Sequence, residues 1–572
     1  MRRGPAVVAA LVLGLLPACS TVPSSSSPVA ITEAPARPAG EVGIEPIGPA
    51  PDAPPEEIVR GFVDAAASTV QRHPVARDHL TPDAAATWSD ETGITLVGAD
   101  YATVTTDAGT VAMTGDLVGT IDPRGVFTAA SGTGVFTHEF ALAEVGGQWR
   151  ISNPPEGLVM LVPDFERLYD DLAAYFVDPT GQRVVPDPRY LLGGEAQPTT
   201  LVQRLIDGPS PALAAGVDNA LSGVTLTRAV TVSGSTVTVD LAGLGDTLPA
   251  QLSQLCAQLV WTLDQLDGVS SVEITTNGDP LPLEGPPAVQ RTDDWAAFSP
   301  ESVPADADGH YLDAGRLMTV DAQPAPGPAG SGAYALTAAA VSADPRTSAL
   351  TDMVGVSVGG GTASLLAGRY GQDLAPVLSA GRLSTPTVAA TRSEFWVVRD
   401  ETTVVRVPAG GSPQPVNAPT LAERGRATAL QLSPDGVRAA VVVRNGETSD
   451  LYVGIVVRSD DGSVVLRDLR EVVPSLGAVS DVAWRTAGRL MVLAADGGEE
   501  GVRPFLVGVD GWGLEEVPTA GLPSPPTALA AAPGQDPLVS AGGSVWELSG
   551  GTWVTLIRGQ QPVPGTEPFY PV

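Results

Sequence analysis

A unit of apolar strand, polar turn and apolar strand recurs from residue 291 to the C terminus, and this repeat restricts the possible folds more than any other feature. The clearest unit covers residues 427–443, where Ser433-Pro434-Asp435-Gly436 has the composition of a tight turn. When the other turns are aligned with it, five residues fall in equivalent positions, at intervals of 49, 42, 52 and 48 residues: Asp344, Ser393, Asp435, Ala487 and Gln535. Such intervals are typical of β-propeller blades.

Residues 291–572 are therefore predicted to form a β-propeller. Because a blade holds four strands in roughly 40–50 residues, the length of this region predicts five or six blades. A β-sandwich is the structural alternative. We expect both ends of the domain to meet in one blade, where residues 544–547 and 553–557 pair with a strand from residues 310–320.

Residues 52–160 have the pattern of a small α+β domain. A helix begins at Pro54-Pro55 and carries apolar residues on one face, and a second short helix begins at Thr81-Pro82-Asp83. Residues 94–152 then alternate as strands and end in a hairpin at Gly146-Gly147. This order resembles the cone-shaped, nuclear-transport-factor-like domains of exported lipoproteins.

Residues 161–285 predict a compact αβ domain. Its predicted elements are a strand (168–177), a helix (198–208), a hairpin (227–232 with 236–241), a helix (252–266) and a strand (269–274). Cys256 lies on the apolar face of the second helix, so we predict a buried core residue rather than a reactive thiol.

Several segments of this region, in order, resemble the GerMN domain. They are Tyr175-Phe176, Leu205-Ile206-Asp207-Gly208-Pro209, Val237-Thr238-Val239-Asp240-Leu241, Trp261-Thr262-Leu263, Val269-Ser270-Ser271-Val272 and Asn277-Gly278. The resemblance covers about residues 165–285. It implies a non-catalytic binding or assembly module of sporulation, germination and cell-envelope proteins.

The N terminus has the pattern of a lipoprotein signal peptide, residues 1–18. Arg2 and Arg3 precede an apolar run of ten residues, 7–16, which is too short to span a bilayer. Leu16-Pro17-Ala18-Cys19 resembles a bacterial lipobox, which predicts S-diacylglycerol and N-acyl groups on Cys19. The alternative is a plain secretory signal that is cleaved nearby.

A tether is predicted for residues 19–51. Residues 20–51 hold seven prolines, a run of four serines from Ser24 to Ser27 and no aromatic residue, so they cannot bury a core. The tether would lift the folded domains off the lipid surface. Cys256 is the other cysteine of the chain, so acylation of Cys19 leaves no intramolecular disulfide.

The chain is strongly acidic, with 32 Lys and Arg against 65 Asp and Glu and a formal net charge of −33. Such a surface is repelled by phosphate backbones, which disfavours nucleic acid as a partner. Asp164, Glu166, Asp170 and Asp171 form a local acidic cluster, which we interpret as a solvated face.

Gly355-Val356-Ser357-Val358-Gly359 matches the nucleophile elbow of α/β-hydrolases. However, a β pattern follows it instead of a helix, and the four histidines precede Ser357, whereas that fold places its histidine afterwards: His73, His79, His138 and His310. No His or Cys pair has metal-ligand spacing. We therefore predict no catalytic, metal or cofactor site, and interpret His73 and His79 as surface or interface residues.

The order of lipobox, proline-rich tether, small α+β domain, GerMN-like domain and propeller with its Ser-Pro-Asp-Gly turn resembles the actinobacterial LpqB lipoproteins over nearly the whole chain. The resemblance implies a lipid anchor on the outer face of the cell membrane. It also implies binding to the extracytoplasmic sensor domain of an MtrB-type histidine kinase, which modulates signalling through MtrA in cell-envelope homeostasis and division.

Two other functions stay open. A cell-wall-binding scaffold requires an exposed aromatic trough, for which Trp484, Trp546 and Trp553 are candidates, although strand positions favour burial of these residues. A propeller glycoside hydrolase requires paired carboxylates roughly 5–10 Å apart in a central pocket. A protein partner would instead use a flat, exposed apolar patch away from both.

Overall fold

The computed structural model describes residues 46–572, apart from 108, 133, 246–247, 284, 302–306, 345–346, 390–391, 460 and 496–500. Cys19, the signal peptide and most of the predicted tether lie outside the described residues. Glu45–Val572 forms one compact unit. Among the described residues, no helix is both long and apolar enough to cross a membrane.

The first part of the unit is a sheet covered by short helices. Its elements are α1 (Pro55–Asp64), α2 (Pro74–Asp78), α3 (Pro82–Thr87), β1 (Ile94–Asp107), β2 (Thr110–Ile121), β3 (Phe127–Ala129), β4 (Val135–Val145), β5 (Gln148–Ile151), β6 (Leu158–Leu161) and α4 (Val162–Leu168). The strand order is β5-β4-β2-β1-β6, with β3 beside β2. The predicted helix starts at Pro55 and Pro82 and the hairpin at Gly146-Gly147 are confirmed.

The second part combines a two-stranded hairpin, a small sheet and two helices. Its elements are β7 (Tyr169–Val177), β8 (Val184–Leu192), α5 (Gln197–Asp207), β9 (Thr225–Leu226), β10 (Thr231–Ser233), β11 (Thr236–Ala242), α6 (Pro249–Leu263), β12 (Ser271–Thr276), β13 (Asp279–Pro280) and β14 (Val289–Gln290). Cys256 is fully buried in the α6 core, as predicted, and burial raises the pKa of its thiol to about 12. A 3-10 helix, Thr292–Phe298, leads to the third part.

The third part is a β-propeller, and the described residues form six blades. The closure blade contains β15 (His310–Asp313), β16 (Arg316–Thr319) and the last strand of the chain, and α7 (Gly327–Ser331) follows β16. Blade one contains β17 (Leu336–Ala343), β18 (Leu350–Gly359), β19 (Thr362–Arg369) and β20 (Ala375–Ala380). Blade two contains β21 (Thr387–Ala389), β22 (Arg392–Arg399), β23 (Thr403–Pro408) and β24 (Gln414–Pro415), and α8 (Pro419–Arg424) follows it.

The remaining blades repeat this meander. Blade three contains β25 (Arg426–Leu432), β26 (Arg438–Asn445), β27 (Thr448–Arg458) and β28 (Val464–Glu471). Blade four contains β29 (Gly477–Trp484), β30 (Arg489–Ala495), β31 (Arg503–Gly508) and β32 (Glu515–Glu516). Blade five contains β33 (Pro526–Ala530), β34 (Leu538–Ala541), β35 (Ser544–Ser549), β36 (Thr552–Thr555) and β37 (Val563–Pro564), and the final strand is β38 (Thr566–Phe569).

Four of the five turn residues aligned in the sequence lie between the first and second strands of their blades: Asp344, Asp435, Ala487 and Gln535. The fifth prediction was wrong, because Ser393 lies within β22. Blade two has a short connection here, since β21 ends at Ala389 and β22 begins at Arg392. The sequence alignment assumed turns of equal length in every blade. It therefore placed the turn position of blade two at Ser393, which lies within β22.

The two ends of the propeller meet in the closure blade, as predicted, but the predicted strands were wrong. β38 pairs with β15, with His310 opposite Phe569. Residues 544–549 and 552–555 instead pair with each other in blade five. Gly550-Gly551 gives them a tight local turn, with φ of 57° and 79°, so they form a hairpin with the nearest available strand.

Close packing holds the C-terminal strand against the first blade. The His310 ring stacks on Phe569 at 5.5 Å between centroids, and its Nε2 lies 2.8 Å from the Tyr370 hydroxyl. Gly565 lies against the fully buried Tyr311, and a Cβ added to Gly565 would lie 2.4 Å from the ring atom Cδ2. Closure thus depends on a glycine at this position.

We predict that Gly565→Ala destabilises the propeller by about 1–3 kcal/mol, because the buried Tyr311 ring cannot make room for a methyl group. Gly359→Ala is the matched control, since a Cβ there has no atom within 4 Å. Denaturant unfolding followed by tryptophan fluorescence checks both variants. Equal midpoints for the two variants would contradict this account of closure.

Candidate binding site at the domain junction

The Ser-Pro-Asp-Gly turn of blade three is buried at the junction with the second domain. Asp435 Oδ1 accepts hydrogen bonds from the Ser433 hydroxyl (2.5 Å) and the Val437 amide (2.8 Å). Arg438 lies with Nη1 3.9 Å from Asp435 Oδ2, and its Nη2 donates to the carbonyl oxygen of Pro186 in β8. Burial raises the pKa of Asp435. One arginine therefore connects the propeller turn to the second domain.

Apolar residues of blade three also pack against the second domain. Val437 and Ile455 of blade three belong to the same buried cluster as the core of the second domain. A Cβ added to Gly216 would lie 2.7 Å from Ile455 Cδ1, so the backbone at Gly216 approaches the blade closely. The two domains thus share a core.

The first domain reaches the same junction through aromatic rings. Trp512, in the turn after β31, contacts Phe127 and Phe165 edge to face, at centroid distances of 5.2 and 5.1 Å. Tyr190 of β8 also contacts Trp512, at 5.5 Å, and its hydroxyl donates to Asp510 Oδ2 at 3.0 Å. All three domains therefore meet at blade four.

A cavity of about 280 Å³, the junction cavity, lies between the second domain and blade four. Its described lining includes five carboxylates, one arginine and three large aromatic side chains: Glu166, Asp171, Glu301, Asp510, Glu515, Arg489, Tyr175, Tyr190 and Trp512. Domain interfaces are common locations for ligand sites. With five carboxylates and one arginine, the lining of the junction cavity has a strongly negative formal charge.

The carboxylates of the junction cavity hold protons more tightly than ordinary ones. Removal from bulk water and repulsion by Asp510 raise the pKa of Asp171 to about 6, although Arg489 opposes the shift. Burial raises the pKa of Glu301 to about 7, against hydrogen bonds from the Ala487 amide. Burial also raises the pKa of Asp510. Burial thus outweighs the nearby arginines at all three carboxyl groups.

The acidic cluster predicted as a solvated face divides into two pairs. Asp164 pairs with Arg167 at 2.9 Å, and Asp170 accepts a hydrogen bond from the Gln197 amide at 2.6 Å. Glu166 and Asp171 border the junction cavity and are exposed, as predicted for a solvated face. Blade four approaches them from more than 300 residues away in the sequence.

The central channel of the propeller contains a second pair of carboxylates, Asp481 and Glu567, in a cavity of about 90 Å³. Backbone amides of Val482 and Leu529 donate to the two oxygens of Asp481 at 2.9 and 2.8 Å, which links blades four and five. Burial and Glu567 raise the pKa of Asp481 to about 7. The cavity is well below the roughly 300–1,000 Å³ of typical small-molecule sites.

Other predicted site residues have structural roles. Ser357 lies inside β18, and its hydroxyl donates to the Tyr334 carbonyl oxygen at 2.7 Å, so no nucleophile elbow exists at this position. Among the described residues, no group of three or more His, Cys, Asp or Glu could hold a metal ion. Trp484 and Trp553 are buried and Trp546 is half-buried, as expected for blade residues, so they form no exposed trough.

The two histidines predicted at a surface or interface are mostly buried. The His73 side chain is 12% exposed, with Nδ1 2.7 Å from Asp90 Oδ2. His79 is 1% exposed, and its Nδ1 donates to the Val75 carbonyl oxygen at 2.9 Å, so the surface interpretation of this residue was wrong. Burial lowers the pKa of His79 and keeps the ring neutral. It fills the space beside the helix residue Gly61, where a Cβ would lie 2.4 Å from Nε2.

Sequence reasoning missed Glu301 and Asp510 as cavity residues. Asp510 lies in Val509-Asp510-Gly511-Trp512-Gly513, where a large aromatic residue stands within a glycine-rich turn. Turns are normally polar, so a tryptophan at this position indicates a buried contact with another domain. That signal was available in the sequence.

Together these features define the chain as a multidomain β-propeller protein whose two smaller α+β domains dock on the propeller. Three family descriptions match it: "Lipoprotein LpqB, N-terminal domain" over residues 48–166, "Sporulation and spore germination" over 173–282, and "Lipoprotein LpqB beta-propeller domain" over 315–571. The chain belongs to the LpqB lipoprotein family, and the curated relatives given below carry no enzymatic name.

Lipoprotein LpqB of Rhodococcus jostii (strain RHA1) is 32% identical over 560 residues, covering 92% of this chain and 90% of the relative. That of Mycobacterium tuberculosis (strain CDC 1551 / Oshkosh) is 32% identical over 549 residues, covering 91% and 90%. The solved tandem GerMN domains of the Bacillus subtilis sporulation protein GerM cover 20% of this chain and 41% of that chain at 19% identity. Their TM-score of 0.17 adds nothing to the family assignment.

We predict that Glu301→Gln stabilises the folded unit at alkaline pH. The raised pKa, about 7, means that folding favours the protonated carboxyl, so the wild type loses stability as pH rises from about 4.5 through 7. The variant should be more stable by about 2 kcal/mol at pH 8, after discounting for partial solvent contact, and the difference should shrink towards pH 5. Urea unfolding at both pH values checks this. A difference independent of pH would contradict it.

Proposed function

We propose that this chain is a membrane-anchored extracytoplasmic lipoprotein that binds the sensor domain of an MtrB-type histidine kinase and modulates MtrA signalling in envelope homeostasis and division. The observation that supports the proposal best is the junction, where all three domains form one compact unit. In this proposal the chain acts by binding the kinase, and it catalyses no reaction.

A compact unit suits this role because a rigid surface loses little conformational entropy when it binds. Membrane confinement adds to the effect, since it raises the concentration of the chain near a membrane-embedded kinase. In this proposal Cys19 carries the lipid and residues 19–51 provide the reach.

We place the kinase on the propeller face opposite the docked domains. In each blade the second-to-third turns and the blade-to-blade connections lie on one face, here called the open face, because neighbouring strands are antiparallel. The hydrogen bonds from the second domain and the following linker reach residues in other turns, such as Asp510 and Ala487.

The open face carries a charged cluster that suits a protein partner. Glu401, in the β22–β23 turn, accepts hydrogen bonds from Arg382 (2.8 Å) and Arg444 (3.0 and 3.1 Å), and Arg426 lies at 3.5 Å. Arginine is enriched at protein interfaces, where its planar group forms paired hydrogen bonds. Three arginines around one carboxylate leave donors that point to solvent.

The two alternatives have weaker support. A wall-binding scaffold lacks the aromatic trough that Trp484, Trp546 and Trp553 would have to form. A propeller glycoside hydrolase has one observation in its favour, the carboxylates Asp481 and Glu567 in the central channel. However, both oxygens of Asp481 accept backbone hydrogen bonds, so this carboxyl is poorly placed to exchange protons with a substrate.

We predict that Cys19→Ser releases the protein from the membrane fraction, because a hydroxyl cannot form the thioether to the lipid. Detergent phase partitioning of expressing cells measures the change. Cys256→Ala is the control and should stay with the membrane, since that thiol is buried in the second domain. Retention of both variants would show that the anchor lies elsewhere.

We predict that residues Glu45–Val572 bind the extracytoplasmic domain of the co-resident MtrB-type kinase saturably at micromolar concentration, and do not bind an unrelated sensor domain. Surface plasmon resonance measures both. Absence of binding to the kinase would contradict the proposal and favour the wall-binding scaffold.

The same complex allows the face to be mapped, because the chain contains no lysine. Arg382→Lys on the open face should form a new cross-link to the kinase with an amine-reactive reagent. Arg369→Lys is the matched control, since it lies at the opposite end of blade one, and the two arginines are 73% and 75% exposed. Cross-linking from the control alone would place the kinase on the other face.

A further inference from the structure

A cleft of about 480 Å³, here called the interdomain cleft, lies between the first and second domains. Its volume is within the roughly 300–1,000 Å³ of typical small-molecule sites. The first domain contributes residues 68–73, before α2, and the second domain contributes Thr200 and Arg204 of α5. The lining also has an apolar part: Ile94, Ile121, Leu158, Tyr169, Leu191 and Leu192. The cleft therefore has the mixed polar and apolar lining of a ligand site.

Hydrogen bonds between the two domains fix the walls of the interdomain cleft. The Tyr190 amide donates to the Gly125 carbonyl oxygen at 2.8 Å. Arg204 donates from Nη2 to the Pro123 carbonyl oxygen at 3.0 Å and from Nη1 to Asp207 Oδ2 at 3.2 Å. Because these contacts exist without a ligand, the cleft is already formed, which lowers the entropy cost of binding.

Two nitrogen atoms of residues that line the cleft are removed from water and lack a partner. His73 Nε2 and Arg204 Nε have no hydrogen-bond partner among the described residues. Buried polar groups normally have one. One nitrogen belongs to the first domain and the other to the second. A single molecule that spans the cleft can therefore pair with both.

The surroundings of each nitrogen determine what it can bind. His73 Nδ1 lies 2.7 Å from Asp90 Oδ2, and an ionised carboxylate only accepts, so Nδ1 carries a proton. His73 Nε2 is then an acceptor in the neutral ring and a donor after protonation, whereas Arg204 Nε is always a donor. A ligand for both must therefore accept at one end, and must match either state of His73 at the other.

The backbone beside His73 is strained as well. Arg72 and His73 have φ of 66° and 40°, in the left-handed region that residues other than glycine rarely occupy. Such residues are concentrated at ligand and active sites, where the surrounding structure maintains the strain. Here the strained segment forms part of the lining of the cleft.

The charges of the lining select the class of ligand. Arg72 and Arg204 are offset by Asp90, Glu91 and Asp122, so neither an anion nor a cation is favoured. A hydroxyl group both donates and accepts, so it pairs with Arg204 and with either state of His73. A neutral molecule with several hydroxyl groups and apolar C–H faces matches this lining, and a saccharide has both.

We propose that the interdomain cleft binds a neutral saccharide, with hydroxyl groups at His73 Nε2 and Arg204 Nε. The C–H groups of the sugar pack against the apolar part of the lining. Because the ligand contacts both domains, it stabilises their arrangement by linkage. The site belongs to the two smaller domains and does not depend on the proposed kinase complex.

Isothermal titration calorimetry of Glu45–Val572 with cellotriose, maltotriose and tri-N-acetylchitotriose tests the proposal. We expect saturable binding of one equivalent of at least one trisaccharide, with a Kd below about 1 mM. His73→Asn should weaken binding by about threefold to tenfold, the effect of one lost hydrogen bond. Asparagine keeps a donor for Asp90 and tolerates the left-handed backbone, so this variant removes Nε2 alone. Arg204→Lys keeps the charge beside Asp207 but removes the Nε donor, and should have an effect of similar size.

Arg167→Lys is the matched control for Arg204→Lys. Arg167 pairs with Asp164 three residues away on α4, as Arg204 pairs with Asp207 on α5, and it is not part of the described lining of the cleft. It should bind like the wild type, and circular dichroism confirms that each variant is folded. Wild-type affinity in both cleft variants, or equal weakening by Arg167→Lys, would overturn the proposal. So would the lack of saturable heat with all three trisaccharides, or their displacement by equimolar inorganic phosphate, which would indicate an anion site.

Discussion

The contact between Arg438 and the Pro186 carbonyl, with Asp435 behind it, is the interaction on which the arrangement of the domains depends. A buried guanidinium is tolerated only where its charge is paired and its donors have partners. Here the propeller supplies the carboxylate and the second domain supplies the carbonyl. Docking removes the guanidinium from water, and the Pro186 carbonyl replaces one of the hydrogen bonds lost, so this contact fixes how the two domains dock more than it adds stability.

Closure of the propeller by β38 adds a constraint on folding. Strand β15 pairs with β38 more than 250 residues later, so the ring cannot close until the whole chain is present. The strand pairings described for the two smaller domains join residues that are much closer in the sequence, so these domains can form before the ring closes. Val437 and Ile455 of blade three complete the core of the second domain. Blade three therefore connects that domain to the propeller ring, which closes last.

The sequence predicts local structure well because local chemistry determines it. Proline at the first turn specifies the starts of α1 and α3, and apolar spacing on α6 identifies Cys256 as buried. Prediction from the sequence fails where a strand pairs with a segment that is distant along the chain. The closure strand contains Pro568 and lies between prolines, so its local pattern is weak, whereas the hairpin at Gly550-Gly551 has a strong local pattern and was assigned the wrong partner.

The junction cavity was beyond prediction for the same reason. Its residues are spread from Glu166 to Glu515, and only the docking of blade four on β7 brings them together. Since the open face and the junction belong to one compact unit, a partner bound at the open face can act on the junction only by changing how firmly the domains dock. A kinase that binds only the docked form would therefore stabilise the docked arrangement of the domains, by linkage.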